Sequence, residues 1–186
     1  MKKIFVVAAM ALVTLSASAQ KLARVNFTEL VQLMPEADEA RATLKAVSQE
    51  AEETLQTMYT EYQTKMQQYQ QKSASWSDVI KKSKESELMD IQRRIEENQQ
   101  AFQQEIQQKQ SELMAPIYEK AQTTVKDLAK AQGVTALFDS SSALYFDESV
   151  LDLTADARKA LKIPADRTLE ALQAELAAQQ QTTAQQ

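Results

Sequence analysis

The stretch "PEADEARATLKAVSQEAEETLQTMYTEYQTKMQQY", residues 35–69, carries the most regular apolar pattern in the chain. Its apolar side chains follow one another at steps of three, four and four residues, which makes a repeat of 11 residues: Leu44, Val47, Ala51, Leu55, Met58, Tyr62, Met66 and Tyr69. Such a repeat is typical of a nearly straight or gently right-handed helical coil. Pro35 suits the first helical position, and acidic residues follow it. The stretch therefore predicts one long amphipathic helix.

The same repeat returns farther along the chain. Two series there have members eleven residues apart, namely Ile80, Ile91, Phe102 and Leu113, and Ile95, Ile106, Ile117 and Leu128. The period is lost in between at "KSASWSDVIKK", residues 72–82, where Ser77 can cap a new helix. We therefore predict an antiparallel helical hairpin over residues 36–116, with its tip near 72–82 and a kink at Pro116. The stripes form its seam, or some of their Met and Tyr side chains face a ligand.

The predicted tip is locally basic, although the chain as a whole carries a net charge of −5. The only tryptophan lies there among lysines, and two arginines follow on the second helix. In one interpretation this is a solvated loop whose indole packs on the end of the hairpin. In the other it contacts an anionic surface, such as lipid head groups, or an aromatic-rich client. The candidate contact residues are Lys72, Trp76, Lys81, Lys82, Lys84, Arg93 and Arg94.

Short segments with β-strand character lie on both sides of the hairpin. "KLARVNF" precedes it, with a strand near residues 22–27, and two more strands are expected at 134–139 and 143–146, around a loop of three serines. Gly133, the only glycine, is placed to end the second helix. Because neither a lone strand nor a two-stranded ribbon is stable in water, we predict that the N-terminal strand pairs with the two later ones.

These strands belong to a predicted body made of residues 20–35 and 117–164, with a short closing helix before Pro164. A core built from about fifty residues is marginal and leaves sheet edges open, so we expect this body to dimerise or trimerise. Residues 165–186 read as a tail that is partly helical and disordered at its glutamine-rich end. The candidate oligomerisation residues are Leu22, Val25, Phe27, Val134, Leu137, Phe138, Leu144 and Phe146.

The first residues, "MKKIFVVAAMALVTLSASAQ", have the organisation of a Sec signal peptide over residues 1–19. Two lysines precede an apolar core that is too short to span a bilayer, and small residues precede the cleavage position near Ala19. A buried N-terminal helix is the alternative. The signal predicts export to the periplasm in soluble form.

The composition excludes several classes of site. The chain has no cysteine, no histidine and one glycine, so Cys/His zinc sites, Ser-His-Asp triads and glycine-rich phosphate loops are absent. Nothing places two carboxylates in an apolar cleft, which acid–base catalysis would need. The acidic net charge argues against nucleic-acid binding. We expect no enzyme activity, no catalytic residue, no cofactor and no metal.

Taken in order, these elements resemble the Skp/OmpH family of periplasmic chaperones, particularly its Bacteroidetes-type members. The resemblance rests on "ARVNFTELVQLMPE" at 23–36, on the second helix with its internal Pro-Ile at 116–117, and on "LYFDESVLDLTADARKAL" at 144–161. It covers about residues 21–163.

The resemblance implies a mainly α fold, in which a coiled-coil tentacle stands on a small β-rich oligomerisation body, and a homotrimer of such chains. It implies an ATP-independent holdase that binds unfolded outer-membrane β-barrel proteins and keeps them soluble for insertion. It also implies contact with anionic lipid or lipopolysaccharide, for which only the basic tip of this acidic chain is suited. The alternative function is a structural, envelope-organising coiled coil without client binding.

Overall fold

The structure, a computed structural model, describes residues 21–184, so the predicted signal peptide at residues 1–19 lies outside the described part. The fold is mainly helical, as predicted, with long helices and one small sheet. The chain divides into a hairpin unit, Met34–Glu119, and a body unit, which comprises the described residues of Met1–Leu33 and Lys120–Gln186. None of the described helices combines the length and the apolar character that crossing a membrane requires.

Two helices make up the hairpin unit. Helix α2 spans Pro35–Lys72, and helix α3 begins at Asp78 and runs to Ala131. The turn between them contains a short 3-10 segment, Ser73–Ser75. Pro35 occupies the first helical position, where its missing N–H costs nothing because that group has no partner within the helix. Both the start of the first helix and the break at the serines agree with the sequence prediction.

The apolar stripes form the seam of this hairpin. Met58 packs with Ile91, Ile95 and Tyr62 in a buried cluster, and every stripe position of α2 is buried or half-buried. Ile80, next to the turn, is the exception because it is 45% exposed. Helix α3 continues through Pro116, so the predicted body boundary at residue 117 falls inside a helix. The kink at Pro116 stays a prediction.

The single glycine ends α3 in a Schellman motif. Gly133 has φ +68°, a left-handed conformation that costs glycine no steric penalty. Its N–H donates to the Lys130 carbonyl at 3.0 Å, and the Val134 N–H donates to the Ala129 carbonyl at 2.9 Å. These two bonds satisfy carbonyls that the helix end leaves open. The predicted role of Gly133 as the helix terminator is confirmed.

The body unit contains a three-stranded sheet in the order β2-β1-β3. Strand β1 spans Leu22–Val25, β2 spans Ala136–Asp139 and β3 is the two-residue Leu151–Asp152. Both outer strands pair with β1 in parallel, with Arg24 opposite Phe138 on one side and Asp152 on the other. The predicted pairing of the N-terminal strand is confirmed for the strand within residues 134–139, whereas its second neighbour is a segment that was not predicted as a strand.

The strand predicted at residues 143–146 is wrong. The Asp139 carboxylate accepts hydrogen bonds from the N–H and the hydroxyl of Ser141, which fixes a 3-10 turn at Ser140–Ser142 instead of a hairpin. A tight turn would also have made the next strand antiparallel, whereas a parallel strand needs a longer connection. The segment after the serines lies outside the sheet, and Leu151–Asp152 takes the free edge of β1.

Two short helices also belong to the body unit, α1 at Phe27–Leu33 and α4 at Thr154–Ala160. Its core includes Ala23, Ala129 and Leu153, packed against half-buried Val134, Leu137 and Leu151.

The tail differs from the prediction, because helix α5 runs from Leu169 to Ala184 and so includes most of the glutamine-rich stretch that was expected to be disordered. Leu172 on its first turns is buried, and this contact anchors the helix.

Candidate functional site

The sheet of the body unit has an outer face that no described element covers completely. Side chains alternate along a strand, and Ala23 and Val25 are buried, so Leu22 and Arg24 face the other way. Phe138 and Asp152 lie opposite Arg24 in the two neighbouring strands and therefore share this face. We call the set Leu22, Arg24, Phe138, Phe146 and Asp152 the outer sheet face.

Arg24 organises the outer sheet face. Its guanidinium lies 3.1 Å from the Asp152 carboxylate and 5.7 Å from the centre of the Phe146 ring. The Phe138 and Phe146 rings pack at a centroid distance of 6.5 Å. Cation–π and ring-pair contacts of this kind each contribute about 0.5–1.5 kcal/mol. They hold an aromatic surface in place although Leu22 and Phe138 remain 38% and 42% exposed.

The predicted oligomerisation residues separate into two groups. Val25 is buried, and Val134 and Leu137 pack against the body core, so these three side chains stabilise the fold of one chain. Leu22, Phe138 and Leu144 are exposed, and Leu144 is exposed completely. Phe146 is half-buried against Arg24, and Phe27 begins α1, where its N–H donates to the Asp139 carboxylate at 3.2 Å. Self-association through these residues stays a prediction.

Within the hairpin unit, polar contacts between side chains join α2 to α3. The Gln99 amide donates to the Tyr59 hydroxyl at 2.6 Å, and the Gln92 amide donates to the Tyr62 hydroxyl at 2.8 Å. Nearer the turn, Lys65 pairs with Glu87, and the Tyr69 hydroxyl donates to Glu85. Along this series the residue numbers rise on α2 and fall on α3. The contacts therefore fix an antiparallel register between the two helices.

Glu87 is the most strongly perturbed of these groups. Hydrogen bonds from Lys65 and then Lys84 lower the pKa of Glu87 from its ordinary 4.5 to about 2. A carboxyl group whose pKa is lower in the folded chain stabilises the fold above its unfolded pKa. That contribution is lost as the pH falls from about 4.5 toward about 2. Glu87 therefore makes the end of the hairpin acid-sensitive.

Replacing Glu87 by glutamine is expected to remove part of this acid sensitivity. The cost at neutral pH should be small, about 0.5–1 kcal/mol, because solvent screens a partly exposed pair. The free energy of unfolding is measured by urea unfolding from pH 7 to pH 2.5. The fluorescence of Trp76, which packs edge-to-face on Tyr69, reports the transition. Glu96→Gln on the same helix is the control. Equal acid sensitivity in wild type and Glu87→Gln would contradict the assignment.

The predicted contact residues at the tip are partly neutralised by neighbours. Lys81 lies 3.9 Å from Asp78, and Lys84 lies 2.9 Å from Glu87. Arg93 pairs with both Asp90 and Glu97. Within residues 21–184, Lys72, Lys82 and Arg94 are exposed cations that form no ion pair. Contact between the tip and anionic lipid stays a prediction, and these three side chains would carry it.

A groove of about 620 Å³ runs beside these cations in the hairpin unit. Apolar Val79 and Ile91 line it together with Lys82, Arg94 and several other polar side chains. Val79 is 80% exposed, and nearby Met89 is 68% exposed. The groove is open and mixed in character, which suits many weak contacts with a chain of variable sequence. Among the described residues, no group of three or more acidic side chains could hold a metal ion.

The comparison with protein families decides the relationship. The model of the family described as "Outer membrane protein (OmpH-like)" matches residues 21–161. The chain belongs to the OmpH-like family. The resemblance seen in the sequence is therefore confirmed, and the family match includes both the hairpin and the sheet.

Similar proteins in other bacteria support this OmpH-like assignment. The chain is 30% identical over 153 residues to the "Chaperone protein Skp" of Escherichia coli K12, with 82% of this chain and 93% of that protein covered. It is 29% identical to the protein of the same name from Yersinia enterocolitica, with 79% of this chain and 89% of that protein covered. An OmpH-like outer membrane chaperone from Caulobacter crescentus CB15 has the same fold, with a TM-score of 0.69, 16% identity and coverage of 82% and 92%.

Sequence reasoning located the basic tip but missed the polar contacts across the hairpin. Tyr62 was interpreted only as part of the apolar stripe or as a ligand-facing residue, and Tyr59 was not singled out. Both hydroxyls accept hydrogen bonds from α3. Gln92 and Gln99, which lie opposite these tyrosines in an antiparallel hairpin, were the sequence signal for such contacts. The signal was hard to use because glutamine is abundant along the whole of α3.

Proposed function

We propose that this chain is an ATP-independent periplasmic holdase, which binds unfolded outer-membrane β-barrel proteins and keeps them soluble until they are inserted. The match of residues 21–161 to the OmpH-like family, together with the similarity to Skp chaperones, carries the proposal. The predicted signal peptide at residues 1–19 would deliver the chain to the periplasm.

The surface of the hairpin unit supports holdase chemistry. A holdase must bind many sequences weakly, and flexible or mixed surfaces do so better than a rigid pocket. Exposed Val79 and Met89 offer apolar contacts beside the cations Lys82 and Arg94. Methionine is suited to adaptable contacts because its unbranched side chain is flexible and polarizable. Such contacts are individually weak, and release therefore needs no nucleotide.

We further propose that the working form is a homotrimer assembled through the body unit. The number three follows the family resemblance. The exposed aromatic surface of the outer sheet face supports self-association, because Leu22 and Phe138 are apolar side chains left partly in water by a single chain. Strands β2 and β3 are the two edge strands of the sheet. Their unpaired backbone groups favour pairing with a strand of another chain.

Light scattering tests the holdase proposal. A urea-unfolded outer-membrane β-barrel protein is diluted into buffer with and without residues 20–186 of this chain. We expect scattering to be suppressed near one oligomer per client, and ATP to change nothing. Equal aggregation with and without the chain would favour the alternative, an envelope-organising coiled coil without clients.

A groove variant refines the scattering test. Val79→Ser is expected to increase the amount of chaperone needed about two- to fivefold, because it removes one exposed apolar contact worth about 0.5–1 kcal/mol. Ser83→Ala, which alters the same groove without removing apolar surface, is the matched control. If both variants perform equally, the groove does not contribute to client binding.

A further inference from the structure

The core of the body unit is closed within one chain. Leu30, Leu33, Leu153 and Leu161 are at most 1% exposed although no second copy is present. A sheet of three short strands and two short helices would be a marginal core by itself. An additional element must therefore complete it, and that element lies beyond residue 161, where the family match ends.

The completing element is the C-terminal strap, which we define as residues 164–184. Its helix α5 packs on α1, and Leu172 of this helix is only 4% exposed. The strap is entered through a turn at the end of α4. There Lys162 adopts φ +58°, and the Ile163 N–H donates to the Arg158 carbonyl at 2.9 Å. This left-handed residue buries Ile163 and directs the chain back across the body.

Arg158 fastens the strap to the rest of the body. Its Nη1 pairs with the Glu29 carboxylate of α1 at 2.5 Å. Its Nη2 donates to the backbone carbonyls of Pro164 and Arg167, at 2.9 and 2.6 Å. The side chain of Arg158 is only 17% exposed, so these charge-assisted bonds form in a largely desolvated place. A single side chain of α4 thus holds both α1 and the beginning of the strap.

The orientation of α5 is fixed by bonds within the strap. The Thr168 hydroxyl accepts from the Ala171 N–H at 3.1 Å, as an N-cap residue does. Arg167 pairs with Glu175 through both carboxylate oxygens, at 2.7 and 2.8 Å. These contacts hold the first two turns of α5 in the geometry that presents Leu172 to the body.

We propose that the C-terminal strap keeps the body folded in a single chain, so that this protein assembles from monomers whose bodies are already folded. The strap replaces, within the chain, the stabilisation that a small body would otherwise obtain only from its neighbours in the oligomer. The outer sheet face remains open for association. This inference concerns assembly and does not depend on the proposed chaperone function.

Hydrogen exchange of the β1 backbone amides, at two concentrations about 100-fold apart, tests the proposal. In wild type, protection should stay far above that of an unfolded chain after dilution, and it should fall only by the part that association adds. In Leu172→Ala it should fall by at least about 10-fold, either on dilution or at both concentrations, because the strap loses its buried anchor. Arg158→Met, which keeps the aliphatic stem but removes the charged bonds, should behave in the same way.

Leu176→Ala is the matched control, because Leu176 lies one turn farther along α5 and is 37% exposed. The amides of α2 in the hairpin unit report in every sample whether the rest of the chain is folded. Two results would overturn the proposal. One is wild-type protection that falls on dilution to that of an unfolded chain, and the other is Leu172→Ala protection equal to that of wild type at both concentrations.

Discussion

The double variant Leu22→Glu, Phe138→Glu is expected to be monomeric at concentrations where the wild type is oligomeric. Both side chains lie on the outer sheet face and are partly exposed in the single chain. Fully burying a large apolar side chain contributes about 1.5–3 kcal/mol, so burying the exposed 38% and 42% of these two contributes about 0.6–1.2 kcal/mol each. A homotrimer gains this three times for each position. Two charges in the same interface would reverse most of that gain.

Sedimentation equilibrium measures this effect directly. The dissociation midpoint of the double variant should rise by at least about 100-fold. For a monomer–trimer equilibrium this corresponds to about 5.4 kcal/mol per trimer, because the midpoint varies as the square root of the dissociation constant. Val79→Glu, Met89→Glu is the matched control, because it places two charges on exposed apolar residues of the hairpin unit. An unchanged midpoint in Leu22→Glu, Phe138→Glu would show that the oligomer forms through another surface.

Leu153→Ala is expected to destabilise the body unit by about 2–5 kcal/mol. Leu153 is 0% exposed, and it packs with Ala23 and Ala129 between the sheet and the end of α3. Its N–H also donates to the Arg24 carbonyl, which ties the start of α4 to β1. Removing three carbon atoms here leaves a cavity that the surrounding strands and helices cannot fill completely.

Exchange of the β1 amides at increasing urea concentration reports the stability of the body separately from that of the hairpin. Leu176→Ala, the same substitution at a partly exposed position, should cost under about 1 kcal/mol. If Leu153→Ala cost no more than this control, Leu153 would not belong to the core.

Strongly periodic segments were predictable from the sequence. The 11-residue stripes placed both long helices and the seam between them, because the same residues that show the period are the ones that become buried. Pro35 and Gly133 marked helix ends correctly, since each acts through its own backbone restriction and needs no distant partner.

Short strands were harder to predict because their pairing depends on distant residues. "ALYF" at 143–146 has the composition of a strand. However, the Asp139 carboxylate accepts a hydrogen bond from the Ser141 N–H, and the resulting 3-10 turn directs the chain away from the sheet. Leu151–Asp152 was not predicted as a strand. It is a strand only because β1 offers it a free edge in parallel register.

Predictions about surfaces depended on neighbours that composition does not show. The tip appeared strongly basic, whereas Lys81, Lys84 and Arg93 each pair with carboxylates three or four residues away on the same helix. The tail appeared disordered at its end because it is rich in glutamine, yet Leu172 anchors its helix to the body.

Binding of an unfolded outer-membrane protein by this chain can be measured from the mass of the complex. Residues 20–186 are mixed with a urea-unfolded outer-membrane β-barrel protein, without nucleotide, and separated by size-exclusion chromatography with light-scattering detection. We expect a soluble species whose mass equals one chaperone oligomer plus one client. If the chain instead elutes at the same mass with and without client, and the client is recovered only as aggregate, the holdase account is wrong.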